Sequence, residues 1–257
     1  MKINIRNSLL APTLFFLVLP GSLFGQQPEP PLPEESLLHF EEALEKLAEG
    51  KLSKAERILG RVKPGGEGSL REILTSLLNG YSEFERHLPN ETIASYRAHE
   101  SLKEALRHAE QGKVGKRQYQ QALSVIWDFL DSLGSDREAP IVRSLGCNLR
   151  MLSGEAPVES ESIGMMTEEV RPPKKIFAPI GPYTDAARKA RVSGVVISRI
   201  VIDSKGCVES AGILKGLPLG LDESTADAFK WWSFEPARLD GKSIAVYYSL
   251  TTQYTVE

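Results

Sequence analysis

Apolar positions between Ser36 and Ser153 recur every three or four residues, the spacing of helices that bury one face. Leu37, Leu38, Ala43, Leu44, Leu47 and Leu52 open the pattern, and Gly50 predicts a turn between two helices within Ala43 to Leu59. Lys63-Pro64-Gly65-Gly66-Glu67-Gly68 then reads as a loop. Four further helices are predicted over Leu70 to His87, Thr92 to Gln111, Arg117 to Leu133 and Pro140 to Leu152.

The first pair, within Ala43 to Leu59, is similar to a tetratricopeptide hairpin. ALEKLAEGK (Ala43 to Lys51) echoes ALRHAEQGK (Ala105 to Lys113), but the offset of 62 is no multiple of 34, so both a repeat-like array with a partner groove and a plain bundle stay open.

After Lys175 the period changes from helical to alternating. Thr184 to Ala190 reads as a short helix, and Val196, Ile200 and Ile202 share one face of a strand. Asp203-Ser204-Lys205-Gly206 turns the chain into a second strand, Cys207 to Leu214. Leu221, Thr225, Ala228, Phe229 and Trp232 keep helical spacing, with Asp222 placed to stabilise the helix start and Pro236 to stop it, so a helix is expected over Leu221 to Phe234. Asp240-Gly241 is a turn signal, and Ile244 to Tyr254 alternates as a final strand. The expected fold is therefore multi-domain: an α-helical, repeat-like domain, then an α+β domain of three antiparallel strands with helices on one face.

The pieces PYTDAARKARVSGVV (Pro182 to Val196), VIDSKGCV (Val201 to Val208), GLDESTADAF (Gly220 to Phe229) and WSFEPARLDGK (Trp232 to Lys242) resemble, in order and spacing, the C-terminal domain of TonB. That periplasmic protein couples inner-membrane energy to outer-membrane receptors. The resemblance covers roughly the last 80 residues. It implies that the final strand accepts a short receptor segment by strand addition, in which main-chain hydrogen bonds supply affinity. Candidate partner-binding positions carried over on this basis are Ala245, Val246, Tyr247, Tyr248, Ser249 and Leu250, with Tyr183 at the corner before the first helix. Tyr183-Thr184 stands where the family usually has Tyr-Pro. Trp231 joins them because it lies off the Leu221, Ala228, Trp232 stripe and is expected at a surface, as are Val195, Ile197 and Val201 on the second face of their strand. Cover by the linker or the helical domain is the other reading of these residues.

The N-terminus changes the picture of location. Lys2 and Arg6 precede an apolar run from Leu9 to Leu19, then Pro20-Gly21 and Ser22-Leu23-Phe24-Gly25. This is the layout of a signal peptide cleaved near Gly25-Gln26, shorter than the roughly 20 residues that a spanning helix needs. Residues 1–25 are therefore expected to be removed, leaving a periplasmic protein. The alternative is an uncleaved inner-membrane anchor facing the periplasm. Residues 26–35 (QQPEPPLPEE) are expected to form an extended, solvated spacer, 36–153 the helical domain, 154–175 a second linker, and 176–257 the TonB-like domain.

Composition is that of a globular chain, with 25% charged and 41% hydrophobic residues. The net charge of −3 becomes −5 without Lys2 and Arg6, and no basic stripe suggests nucleic acid. Cys147 and Cys207 could pair in an oxidising compartment or remain two buried thiols. His39, His87, His99 and His108 make no zinc-protease pattern, no G-x-S-x-G or phosphate loop occurs, and neither cysteine has a histidine beside it. No catalytic, metal or cofactor-binding residue is expected. The functions open at this point are transduction through an outer-membrane receptor or transporter, and scaffolding with self-association but no energy transfer.

Overall fold

The computed structural model describes residues 30–63, 65–134, 139–155 and 163–255. The expected leader lies outside them. Six helices form first: α1 (Glu34–Ala48), α2 (Leu52–Leu59), α3 (Leu70–His87), α4 (Glu91–Glu110), α5 (Lys116–Ser132) and α6 (Pro140–Ser153). Their starts follow local chemistry. Ser69 Oγ accepts from Glu72 N at 3.4 Å while the Glu72 carboxylate accepts from Gly68 N at 2.8 Å, a reciprocal cap. Asn90 caps α4 through Ile93 N at 3.1 Å. The chain enters α1 earlier than expected: Leu32, within the anticipated solvated spacer, is buried, and its N–H donates to Gln121 Oε1 at 2.8 Å.

Consecutive helices pair as hairpins, but α6 packs against α1, α3, α4 and α5 together. The bundle is thus wound around α6, whereas in a linear array each hairpin meets only the next. Residues 144–150 of α6 are buried without interruption, the mark of a helix enclosed on all sides. A Cβ at Gly146 would lie 2.8 Å from the Trp127 ring and 2.9 Å from Ile126 Cγ2, so glycine lets α5 approach closely.

The C-terminal part contains β1 (Lys174–Phe177), α7 (Asp185–Lys189), β2 (Gly194–Ile202), β3 (Val208–Lys215), α8 (Leu221–Phe229), β4 (Ser233–Glu235), β5 (Ala237–Leu239), β6 (Lys242–Ile244) and β7 (Val246–Tyr254). The main sheet is antiparallel in the order β3-β2-β7, and β1-β4 and β5-β6 form two-stranded ribbons. Asp240 (φ 51°) and Gly241 (φ 77°) make the left-handed turn of the β5-β6 hairpin. The register pairs Ile202 with Val246 and Gly194 with Tyr254, so Val196, Ile200 and Ile202 face inward with Val246, Leu250 and Tyr254. Phe229, Trp232 and Phe234 close over Ile200, Ile202, Val246 and Leu250.

The helix expected to run to Phe234 ends at Phe229. Beyond it Phe234 pairs with Lys175 of β1 and donates its N–H to Gly206 O at 2.8 Å, which an α-helical backbone could not do. Trp232 still reaches the core, with its ring 4.8 Å from that of Phe229 and its Nε1 donating to Pro179 O at 2.9 Å. The linker is also partly structured: Val170 is buried, Arg171 exchanges backbone bonds with Arg238, and β1 begins at Lys174.

Candidate functional site

Two sites emerge from the packing: a buried junction between the domains and the open edge of β7. The junction is centred on α6. Ser144, Cys147 and Asn148 stand at i, i+3 and i+4 and therefore share a face. Ser144 Oγ accepts from Ser233 Oγ at 2.8 Å, Cys147 is disulfide-bonded to Cys207, and Asn148 Nδ2 donates to Trp231 O at 2.9 Å. Arg150 adds an ion pair of 2.7 Å with Asp203, both side chains being nearly inaccessible. Asp203 Oδ1 also accepts from Lys205 N and Cys207 N, at 3.0 and 2.8 Å, holding the β2-β3 turn that presents Cys207. Phe177 of β1 crosses into the helical core, its ring 4.8 Å from Tyr81 and 5.1 Å from Phe84. Ile180 accepts from His99 Nε2 at 2.8 Å and donates its N–H to Ser95 Oγ at 2.9 Å. Helical and TonB-like parts are thus joined covalently and through a buried polar interface.

That junction explains Trp231. Placed at a surface by its position off the α8 stripe, it is instead buried among the helical-domain residues, at 8% exposure. Burial corrects its expected availability, because the second domain supplies the cover. Val201 is buried as well, and Val195 and Ile197 are half-buried.

β7 lies at the end of the β3-β2-β7 order, so one side of it faces away from β2. Backbone groups alternate sides along a strand. Gly164 N–H donates to Ala245 O at 2.8 Å and Tyr247 N–H donates to Gly164 O at 3.2 Å, which fixes odd-numbered residues as the outward ones. Gly164 therefore makes one parallel rung on the outer edge. Farther along, no described residue pairs with the outward backbone groups of Ser249, Thr251 and Gln253. Of the expected partner-binding residues, Tyr247 and Ser249 are exposed, Tyr248 is half-buried, Ala245 is buried, and the side chains of Val246 and Leu250 point into the core. Sequence alternation distinguishes the two faces; it carries no signal for the free edge or for the Gly164 rung.

Tyr183 is half-buried, packs edge-on against Tyr254 at 5.7 Å and hydrogen-bonds Val192 O. Thr184, in the position where proline was expected, caps α7 by accepting from Ala187 N at 3.2 Å and donates to Leu219 O at 2.6 Å. Gly181 is pressed against the Ser224 backbone, leaving no room for a Cβ. Among the described residues, no group of three or more His, Cys, Asp or Glu side chains could hold a metal ion, and no helix is long and apolar enough to cross a membrane.

Residues 181–256 match the family described as Gram-negative bacterial TonB protein C-terminal, so this segment is a domain of TonB C-terminal type preceded by a helical domain. A solution NMR structure of the Pseudomonas aeruginosa TonB C-terminal domain matches at 21% identity over 37% of this chain and 95% of that one, with a TM-score of 0.30. No curated protein matches the chain.

Proposed function

We propose that this is a non-enzymatic cell-envelope protein that binds protein partners by adding an extended segment to the outer edge of β7. The supporting observation is the run of unpaired outward backbone groups at Ser249, Thr251 and Gln253, on an edge where Gly164 already forms a rung. The family suggests TonB-type transport across the outer membrane, with a receptor or transporter as partner. On this reading residues 1–25 are a leader whose removal leaves a periplasmic chain, 36–153 the helical domain and 176–257 the TonB-like domain.

Scaffolding is the second reading, favoured by the junction itself. A helical domain locked to its neighbour by a disulfide and a buried ion pair suits a rigid platform, including one that self-associates, better than a flexible tether.

The test is amide hydrogen exchange on the full mature chain with a peptide selected from a phage-displayed library of random nonapeptides. Strand addition protects the amides of Ser249, Thr251 and Gln253 and leaves their even-numbered neighbours, already bonded to β2, unchanged. Thr251→Pro removes one outward N–H at an edge position where proline is tolerated, and it should abolish binding while the protein stays folded. Protection confined to other surfaces would refute the reading. Sequencing the N-terminus of the protein recovered from the periplasm decides between a cleaved and an anchored chain.

A further inference from the structure

The free stretch of β7 has a second wall. Thr251 and Gln253 line a groove of about 450 Å³ together with Ile176 and Ala178 after the start of β1, and with Phe84 and Leu88 at the end of α3. Leu88 is 49% exposed although apolar. Thr252 lines the same groove, and its buried hydroxyl has no hydrogen-bond partner among the described residues. Lys175 and Glu91 both border it, so their charges offset and neither sign of ligand is selected. At the other end of the strand the Gly164 rung occupies the edge at Ala245 and Tyr247.

We propose that the helical domain forms part of the acceptor site, so that the partner segment is short and extended and carries an apolar side chain seated against Phe84, Leu88 and Ile176. This rests on the strand-addition reading above. The edge between the Gly164 rung and the groove offers ladder positions at Ser249, Thr251 and Gln253, which match about five residues of an added strand. Because side chains of that strand alternate, one set turns toward the groove and meets its apolar lining. Selection of the partner then comes from α3, outside the TonB-like domain.

The random nonapeptide library, panned on the full mature chain and on Leu88→Glu, provides the test. Leu88 is exposed at the helix end, so its replacement leaves the fold intact, as circular dichroism would verify. The wild-type pool should show an apolar residue at one fixed position, and a selected peptide should bind the variant about tenfold more weakly. The pool selected on Leu88→Glu should lose the apolar preference, while Thr251→Pro abolishes binding of either pool. An unchanged preference in Leu88→Glu, with binding still abolished by Thr251→Pro, overturns the role of the helical domain and leaves strand addition standing. Binding that survives Thr251→Pro overturns strand addition and this inference with it, as does a library that enriches nothing.

Discussion

Asn148 on α6 bridges the domains by accepting from the Tyr81 hydroxyl at 2.8 Å and donating to the Trp231 carbonyl at 2.9 Å, with no exposed surface of its own. Tyr81 is itself wholly buried, and burial raises its pKa far above the ordinary 10.0, so it stays a neutral donor. Asn148→Ala strands a hydroxyl and a carbonyl away from water. It should cost about 2–6 kcal/mol, from roughly 1–3 for each of the two unsatisfied buried groups. Urea unfolding of the full chain measures the loss.

The Cys147–Cys207 disulfide closes a loop with a sequence separation of 60. On the chain-entropy account a loop of that length stabilises by about 4 kcal/mol. Unfolding with and without reductant should show a midpoint shift in that direction, and Cys147→Ser/Cys207→Ser should behave like the reduced protein.

Asp203 and Arg150 form the most enclosed ion pair between the two parts. Asp203→Asn keeps an oxygen for the turn but leaves the guanidinium buried without a counter-charge, at a cost of about 3–5 kcal/mol. Adding Arg150→Met should recover part of that loss in a double-mutant cycle, because the unpaired charge is then gone.

His99 titrates against the fold. Burial holds its pKa below the ordinary 6.5, opposed by the bond to Ile180 O, while Lys103 lowers it further and Glu100 raises it. The unfolded state therefore binds the proton more readily. The contribution to stability is present above pH 6.5, declines as pH falls through that value, and levels off below the folded pKa. Stability measured from pH 7.5 to 5 should fall less steeply in His99→Gln than in the wild type.

Much of the fold was legible in the sequence because its signals are local. Ser69, Asn90 and Pro140 stand at the starts of α3, α4 and α6, and the β2 and β7 alternation locates both faces of the main strands. The ordered motifs from Pro182 to Lys242 led to the same domain type as the family match. What escaped was long-range. Nothing near Trp231 in sequence announces that α6 covers it, and the short ribbons β1-β4 and β5-β6 depend on partners that local periodicity does not encode. Asn148, Arg150 and Ser144 are polar interruptions in an apolar helix, a signal for a shared polar face whose counterpart lies 83 residues away for Asn148 and 89 for Ser144. The candidate site was half legible: side-chain alternation told inward Val246 and Leu250 from outward Tyr247 and Ser249, while the vacant edge is a backbone property with no residue code.

The Cys147–Cys207 bond has a mechanical consequence. A pull entering through the helices and leaving through β7 can pass from α6 to the start of β3 by a covalent shortcut, so the intervening segment of 154–175 is out of the load path. Under tension that segment could not unreel to lengthen the molecule. Any lengthening of the molecule under tension would have to come from outside the loop that the disulfide closes.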